Sequence, residues 1–417
     1  MKQIIILGAN AVSLKYLPQA LRSAGYQPVF LLDPGTLAAG SAAALAGSTV
    51  HPVDIEDRAA VLRLFAEHPE IAAEAYAITG LYDEKFPLIA ELAATYGLSG
   101  PDPAAARLAN KAEVARLIPE FGSPTVRFST GEARRLAVDP AAVGPAPYGH
   151  VLKPAEQAGA HGIAQLPPGS TALTVREAVE ASGMPDADDH PWVLQADVRG
   201  TLVSLEGYVE DGRVVFLGFS QRGRIGWTEI SNLLPADHLL PARVRERCRD
   251  AVAALTARSG WRSGYFHSEF LVSGEQAYLI DANAGRLGGA GHVEQLAIAF
   301  GVEQGEILAH VLTLGVPDLP TSPAPDWFRT AEPRSTTCYY YGLAQEAVIT
   351  SVEAPDDGVS LHTQMVPDGG RVGAAGTGDA AWLGILTGPT GPAERAMAAV
   401  VVHTTEGPRR PAWTPTS

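Results

Sequence analysis

The order of the first two apolar runs constrains this chain more than any other feature. Gln3 to Leu7 form an apolar run that stops at Gly8. Leu14 to Ala24 then carry a helical pattern closed by Gly25, and Pro28 to Leu32 form a second run ending at Asp33. Two short strands joined through a helix lie side by side in parallel, since a parallel pair needs a crossover of about that length. The chain is therefore read as opening with a parallel α/β domain. A later strand is expected at Ala75 to Thr79, and a helix at Pro87 to Tyr96 with Gly97 as its left-handed cap. Asp102-Pro103 supplies a capping oxygen and a preset φ for another helix. That helix is expected to run unbroken through Ala105, Leu108, Ala112, Ala115 and Leu117. The first domain boundary is placed near residue 103.

Beyond it the pattern changes to short extended runs. Val126 to Ser129, Val151 to Lys153 and Gly162 to Leu166 read as strands of a small second domain, and Gly183 to His190 as a polar surface loop. Val203 to Val209 and Arg213 to Phe219 flank Asp211-Gly212, a dipeptide suited to a two-residue hairpin turn. Val244 to Arg258 form an amphipathic helix stopped by Gly260. Tyr265 to Val272 and Gln276 to Asn283 form a second hairpin around Ser273-Gly274-Glu275. Leu319 to Pro325 read as a Pro-rich crossing, and the tail from Glu406 is expected to fray. The resulting division is 1–103, 104–193 and 194–417.

Composition limits the function. A net charge of -15 over 417 residues leaves no bulk field for nucleic acid, so an anionic ligand must be met by local cations. No apolar stretch approaches the length of a membrane span, and the N-terminal run is too short for a signal peptide. With only Cys248 and Cys338, a reducing cytoplasmic setting and a soluble chain are expected. Only five of the 31 basic residues are lysines: Lys2, Lys15, Lys85, Lys111 and Lys153. In a chain that prefers Arg, a Lys marks a place where a compact ammonium is useful. Lys85, within Tyr82-Asp83-Glu84-Lys85, is expected to be solvated.

Strand alternation within the second hairpin gathers chemistry on one side. Phe266, Ser268, Phe270 and Val272 share one face of the first strand; His267, Glu269 and Leu271 share the other. On the return strand Leu279, Asp281 and Asn283 share a face. A three-residue loop at 274–276 would set Glu269 directly opposite Asp281. Facing carboxylates repel unless a cation stands between them, and an all-oxygen set suits Mg²⁺ bound with phosphate. A solvated polar hairpin face is the competing reading.

A second constellation is Val151-Leu152-Lys153-Pro154 followed by Ala155-Glu156-Gln157-Ala158-Gly159-Ala160-His161-Gly162. Small residues after a strand-ending Lys let backbone N–H groups approach phosphate oxygens. The Walker pattern is absent, and Gly8-Ala9-Asn10-Ala11-Val12-Ser13 lacks two glycines of the dinucleotide fingerprint. A nicotinamide enzyme is thus disfavoured.

Taken in order, these pieces resemble the ATP-grasp superfamily. Gly97 to Pro101, Asn110-Lys111 and Gly122 to Thr125 resemble its entry, and Val151 to Gly162 its Lys-Pro and flexible glycine loop. Leu194 to Gly200 resemble the adenine hinge. Phe266 to Phe270, Leu279 to Asn283 and Arg286-Leu287-Gly288-Gly289 resemble its metal and phosphoryl site. Within the superfamily the chain looks most similar to carboxylate–amine ligases such as the L-amino-acid ligases. The resemblance implies an N-terminal parallel α/β domain, a small central ATP-lid domain and a larger C-terminal mixed-sheet domain. It implies ATP and Mg²⁺ as cofactors, and a small carboxylate and amine, amino acids among them, as substrates. A homodimer is left open.

By position, Lys111, Lys153, Glu156, Gly159, His161 and Gly162 would attend the ATP phosphates. Gln195, Ala196 and Val198 would meet adenine. Glu269, Asp281 and Asn283 would hold Mg²⁺, and Arg286 with Gly288 and Gly289 would steady the transferring phosphoryl group. Trp227, His292 and the neighbourhood of Arg371 are expected at the specificity pocket. Asp281 stands where Glu is commoner, and one extra residue separates Asn283 from Arg286. An ATP-grasp carboxylase or formate-using transformylase, and an ATP-binding regulator without turnover, are the alternatives. A site aimed at the γ-phosphate should release ADP and phosphate. A coupled assay is expected to follow ADP one-for-one with substrate consumed, and pyrophosphate formation would overturn that expectation.

Overall fold

The computed structural model of the chain describes residues 2–38, 43–157, 161–184, 187–377 and 381–413. Strands β1 (Lys2–Leu7), β2 (Tyr26–Leu32), β3 (Thr49–Pro52) and β4 (Ala75–Thr79) form a parallel sheet in the order β3-β2-β1-β4. Ile4 to Leu7 are fully buried, as expected of a strand covered on both faces. The crossover is not one helix. Asn10 caps a first piece, Ala11–Leu14, and Pro18 opens a second, Leu17–Ser23. The helix Phe86–Tyr96 ends at Gly97, whose φ of 67° is the left-handed cap.

The helix expected from Asp102 onward is also two. Pro103–Leu108 stops, and the Asn110 side chain accepts from the N–H groups of Ala112 and Glu113 to begin Lys111–Leu117. A short side chain that caps competes with continued helix at that position. The break puts Lys111 at the first helical residue, where its ammonium leaves the helix toward the centre of the molecule.

The second sheet is small: β5 (Thr125–Ser129), β6 (His150–Pro154), β7 (Ala164–Leu166) and β8 (Pro191–Ala196), in the order β5-β8-β6-β7. Its core joins Leu152, Trp192 and Leu194 to Val175 and Val179 of the helix Ala172–Ala181. Since β8 pairs with both β5 and β6, the boundary expected at 193/194 cuts a strand; this unit runs through Ala196.

The third sheet contains β9 (Thr201–Glu210), β10 (Arg213–Ile225), β11 (Thr228–Leu234), β12 (Gly264–Ser273), β13 (Gln276–Asp281) and β14 (Thr336–Tyr341). A fourth sheet is built from β15 (Ala347–Glu353), β17 (Arg371–Val372), β19 (Val401–Thr404) and β20 (Gly407–Arg409). Strands β16 (Leu361–Gln364) and β18 (Gly384–Pro389) complete the third, in the order β13-β12-β9-β10-β11-β14-β18-β16. Asp211 and Gly212 both take positive φ and close the β9–β10 turn with Glu210 opposite Arg213.

Two further expectations fail. The tail does not fray at Glu406: β20 pairs with β19, and Trp413 packs edge-on against Tyr339 at 5.1 Å, because an aromatic side chain finds an apolar site there. Lys85 is not solvated. It is buried, with its ammonium 2.7 Å from Glu56. Among the described residues no single helix is long and apolar enough to cross a membrane.

Asp102 ties the first domain to the third sheet. Buried, it accepts from Ala104 N at 2.8 Å, Arg262 N at 2.8 Å and Ser263 N at 3.1 Å. Asp102→Ala would leave all three donors without that partner. Loss of about 2–4 kcal/mol is expected, read as a lower denaturation midpoint. An unchanged midpoint would show that water replaces the carboxylate at no cost.

Candidate functional site

A cleft of about 650 Å³ opens between the small sheet and the third sheet. Lys153, Gln195 and Ala196 line it from β6 and β8, and Val198 from the segment beyond. Lys111, Arg222, Arg224, Glu229, Glu269, Asp281, Asn283, Arg286 and Gly289 line the rest.

The β12–β13 hairpin sets its floor. Glu269 does pair directly with Asp281, for a reason other than the expected three-residue loop. Ser273 pairs with Gln276, so the turn has two residues, and a bulge at Ile280 restores the register. The bulge also shifts the alternation. Leu279 pairs with Phe270 and is buried in the core, so it does not share the polar face expected of it. Asn283, at φ 43°, turns its amide back: Nδ2 donates to His267 O at 2.9 Å and to Glu269 Oε1 at 3.4 Å.

Cations hold the facing carboxylates. Arg222 ion-pairs with Glu269 and, by its other edge, with Glu229. Lys111 Nζ lies 3.2 Å from Asp281 Oδ2 and 2.8 Å from Gln157 O. Burial alone would raise the Glu269 pKa, but Arg222 and His267 hold it well below the usual carboxylate range. Burial would depress the Lys111 ammonium, and Asp281, Asp83 and Glu269 reverse that and raise it. Lys153 is different. Burial pushes it down to about 8 against the pull of Asp281, with Lys111 adding like-charge repulsion. Among the described residues its Nζ donates to Ile280 O alone, at 3.5 Å.

Arg286 is anchored from the first domain. Nε pairs with Asp83, Nη2 donates to Asn283 Oδ1 at 2.7 Å, and Nη1 donates to Leu287 O at 3.0 Å. Two partly buried carboxylates face one another, with an amide oxygen beside them and ammonium and guanidinium groups around them. These hard oxygen donors fit a small divalent cation shared with phosphate. Behind them Gly288 backs onto the His267 ring, 2.7 Å from where a Cβ would sit, so only Gly fits.

On the hinge, Gln195 donates to Thr125 Oγ1 at 3.2 Å, and Ala196 bonds through its backbone to Pro124 and Ser123. The glycine loop is less compliant with expectation. Glu156 is exposed and accepts from Asn110 at 2.9 Å; neither it, His161 nor Gly162 lines the cleft in this conformation. Gln157, Ile163 and Gln165 line it instead. Gly159 lies outside the described residues. Trp227 lines the cleft as expected, but His292 does not: it is fully buried, with Nε2 3.1 Å from Glu206. Arg371 is exposed on β17, paired with Glu346, and does not line it.

Sequence reasoning missed Arg222, Glu229, Asp197, Asp83 and the buried Glu206. Glu206 receives His267 Nδ1 at 2.8 Å and the Ser220 hydroxyl at 2.9 Å. Burial disfavours the His267 cation, yet Glu206 lifts it to about 9. Arg222 and Arg224, two apart on a strand whose start is apolar, were the legible signal for a charged face. Asp83 had none.

No protein-family model matches the chain, and no curated protein matches it by sequence. Solved structures do. An L-amino acid ligase from Bacillus licheniformis is 17% identical and covers 93% of each chain at a TM-score of 0.68. A biotin carboxylase from Campylobacter jejuni is 16% identical over 97% of this chain and 92% of its own, also at 0.68. A phosphoribosylglycinamide synthetase from Anaerococcus prevotii is 13% identical over 96% and 99%, at 0.64. The chain shares the ATP-grasp fold of these structures, as the sequence resemblance implied.

A lysine holds phosphate only while protonated. Lys153 is charged below its pKa of about 8, so ATP affinity is expected to be highest below pH 8 and to fall as pH rises through it. The limit is about tenfold per unit if only the ammonium binds. Titration calorimetry between pH 7 and 9.5 reads it, with Lys153→Arg flat across the range. A flat wild-type profile would remove Lys153 from the phosphate contacts.

Proposed function

We propose that this chain is an ATP-dependent ligase that activates a carboxylate as its acyl-phosphate and passes the acyl group to an amine, releasing ADP and phosphate. One observation carries the reading. Lys111, Arg222 and Arg286 converge on the Glu269–Asp281–Asn283 oxygens at one end of a nucleotide-sized cleft.

Adenine would lie against Gln195, Ala196 and Val198, with the phosphates running toward Lys153 and Lys111. Glu269, Asp281 and the Asn283 amide oxygen would hold Mg²⁺, which supplies charge neutralisation among the phosphate oxygens. A carboxylate oxygen attacks the γ-phosphorus and ADP leaves. An amine then attacks the acyl carbon, the bond to the phosphate oxygen breaks, and the amine gives up a proton. Arg222 and Arg286 meet charge that spreads over the phosphoryl oxygens, where fixed cations act without reorganising. Asp83 and Asn283 hold the Arg286 fork in one orientation, so its geometry is set before substrate arrives. The segment after β6 closes over the phosphates and keeps water from the acyl-phosphate.

The test is an ADP-release screen over pairs of small acids and amines, followed by variants. Asp281→Ala and Glu269→Gln are expected to lower kcat at least about 100-fold while ATP affinity changes less than about tenfold. Asp281→Glu, which restores a longer side chain into a register set by the bulge at Ile280, is also expected to impair turnover. ADP release that requires bicarbonate and no amine would replace the amide ligase by a carboxylase. Full activity of Asp281→Ala would remove the metal assignment.

A further inference from the structure

Trp227 and Trp382 both line the cleft. Trp227 is 37% exposed, a large indole left in contact with water beside charged groups. Trp227 is held through its main chain, and Trp382 through its indole. Trp227 N donates to Gly376 O at 3.2 Å, and Gly376 N donates to Thr228 Oγ1 at 2.9 Å. A Cβ on Gly226 would sit 2.7 Å from Gly376 O, so this approach requires Gly. Trp382 Nε1 donates to Glu229 O at 2.8 Å, and its ring stacks on Tyr340 at 4.6 Å and 25°. Tyr340 in turn reaches Gly289, its hydroxyl 3.1 Å from where a Cβ on that residue would lie. The C-terminal segment thus fixes the Trp227 backbone and the Trp382 indole, and both side chains share the cleft lining with Arg222, Glu229 and Gly289.

We infer that this wall is the side-chain subsite for the acid, and that the acid carries an aromatic or bulky apolar group lodged against Trp227 and Trp382. The inference rests on the ligase reading for the word acid, while the subsite itself rests on the indoles. A flat, preorganised aromatic wall recognises apolar area and ring faces, and it discriminates weakly between closely similar apolar groups but strongly against small polar ones. The carboxylate then lies toward Arg222 and Gly289, within reach of the groups that would handle the phosphoryl transfer.

Two measurements separate this inference from the ligase reading. In the first, ADP release is measured with acetate, alanine, phenylalanine and 3-phenylpropionate against a fixed panel of small amines. The aromatic acids are expected to have kcat/KM about tenfold or more above the small ones. Trp382→Ala, and independently the more exposed Trp227→Ala, should collapse that ratio chiefly through KM, with Trp382→Phe restoring most of it. In the second, 3-phenylpropionate is titrated with ADP and Mg²⁺ present and tryptophan fluorescence is followed. Saturable quenching is expected, and it should be lost when both Trp227 and Trp382 are Phe. Quenching without any ADP release would keep the subsite and remove the ligase reading. Turnover that favours small acids, with neither variant changing the ratio, would overturn the subsite and leave the ligase reading intact.

Discussion

Two carboxylates that face each other across a hairpin are an unstable arrangement, and the architecture around the cleft is a solution to it. Glu269 and Asp281 repel at close range, so each is matched to a cation from a different element: Arg222 from β10 and Lys111 from the start of a helix. Arg222 could not stay buried on one partner alone, and Glu229 takes its second edge. The network is therefore closed by pairs: the two Arg222 pairs join strands of the third sheet, and Lys111–Asp281 joins a helix to it. Removing a single member strands a buried charge, which costs far more than the net contribution of the pair. The cations gathered to neutralise the acids are also the cations that a triphosphate and a transferring phosphoryl group require.

Much of this was legible in the sequence, and what was not has physical causes. Local rules served where the determinant is local: Gly97 and Gly260 as left-handed caps, Asp211-Gly212 as a turn, β4 from its apolar run. Glu269 opposite Asp281 was reached through the wrong turn, because a bulge at Ile280 compensates a two-residue turn and no sequence pattern marks that bulge. The one expected helix after Asp102 is two, since the periodicity of its apolar residues survives the break while Asn110 caps. Lys85 looked solvated among polar neighbours; its partner Glu56 comes from another loop of the same sheet. Arg222 and Asp83 matter because of partners 47 and 203 positions away, counting from Arg222 to Glu269 and from Asp83 to Arg286. Strand alternation says which face a residue takes and nothing about what it meets there.

The glycine loop shows a limit of a different kind. Glu156, His161 and Gly162 sit off the cleft here, while Lys111 holds the Gln157 carbonyl. A segment that closes on its ligand has two sets of partners, and sequence names the segment without ranking the sets. In this conformation the lysine expected to meet phosphate is occupied by an acid and a carbonyl. Nucleotide phosphate would compete for both, and the competition would release the loop's own backbone to move.

The Asp83–Arg286 pair has a further consequence, for the order in which a chain of this kind becomes competent. Asp83 leaves the ribosome about two hundred residues before its partner, at synthesis rates of roughly 5–20 residues per second. The parallel sheet that carries it has its own buried strands and can form early. The hinge and Lys153 follow, so a nascent chain holds nucleotide-facing groups before it holds the guanidinium that would act on the terminal phosphate. Of the two cleft-lining tryptophans, Trp227 precedes Arg286 and Trp382, in the final tenth of the chain, follows it. On the proposed reading, a chain cut short before Arg286 would lack the guanidinium that meets the transferring phosphoryl group.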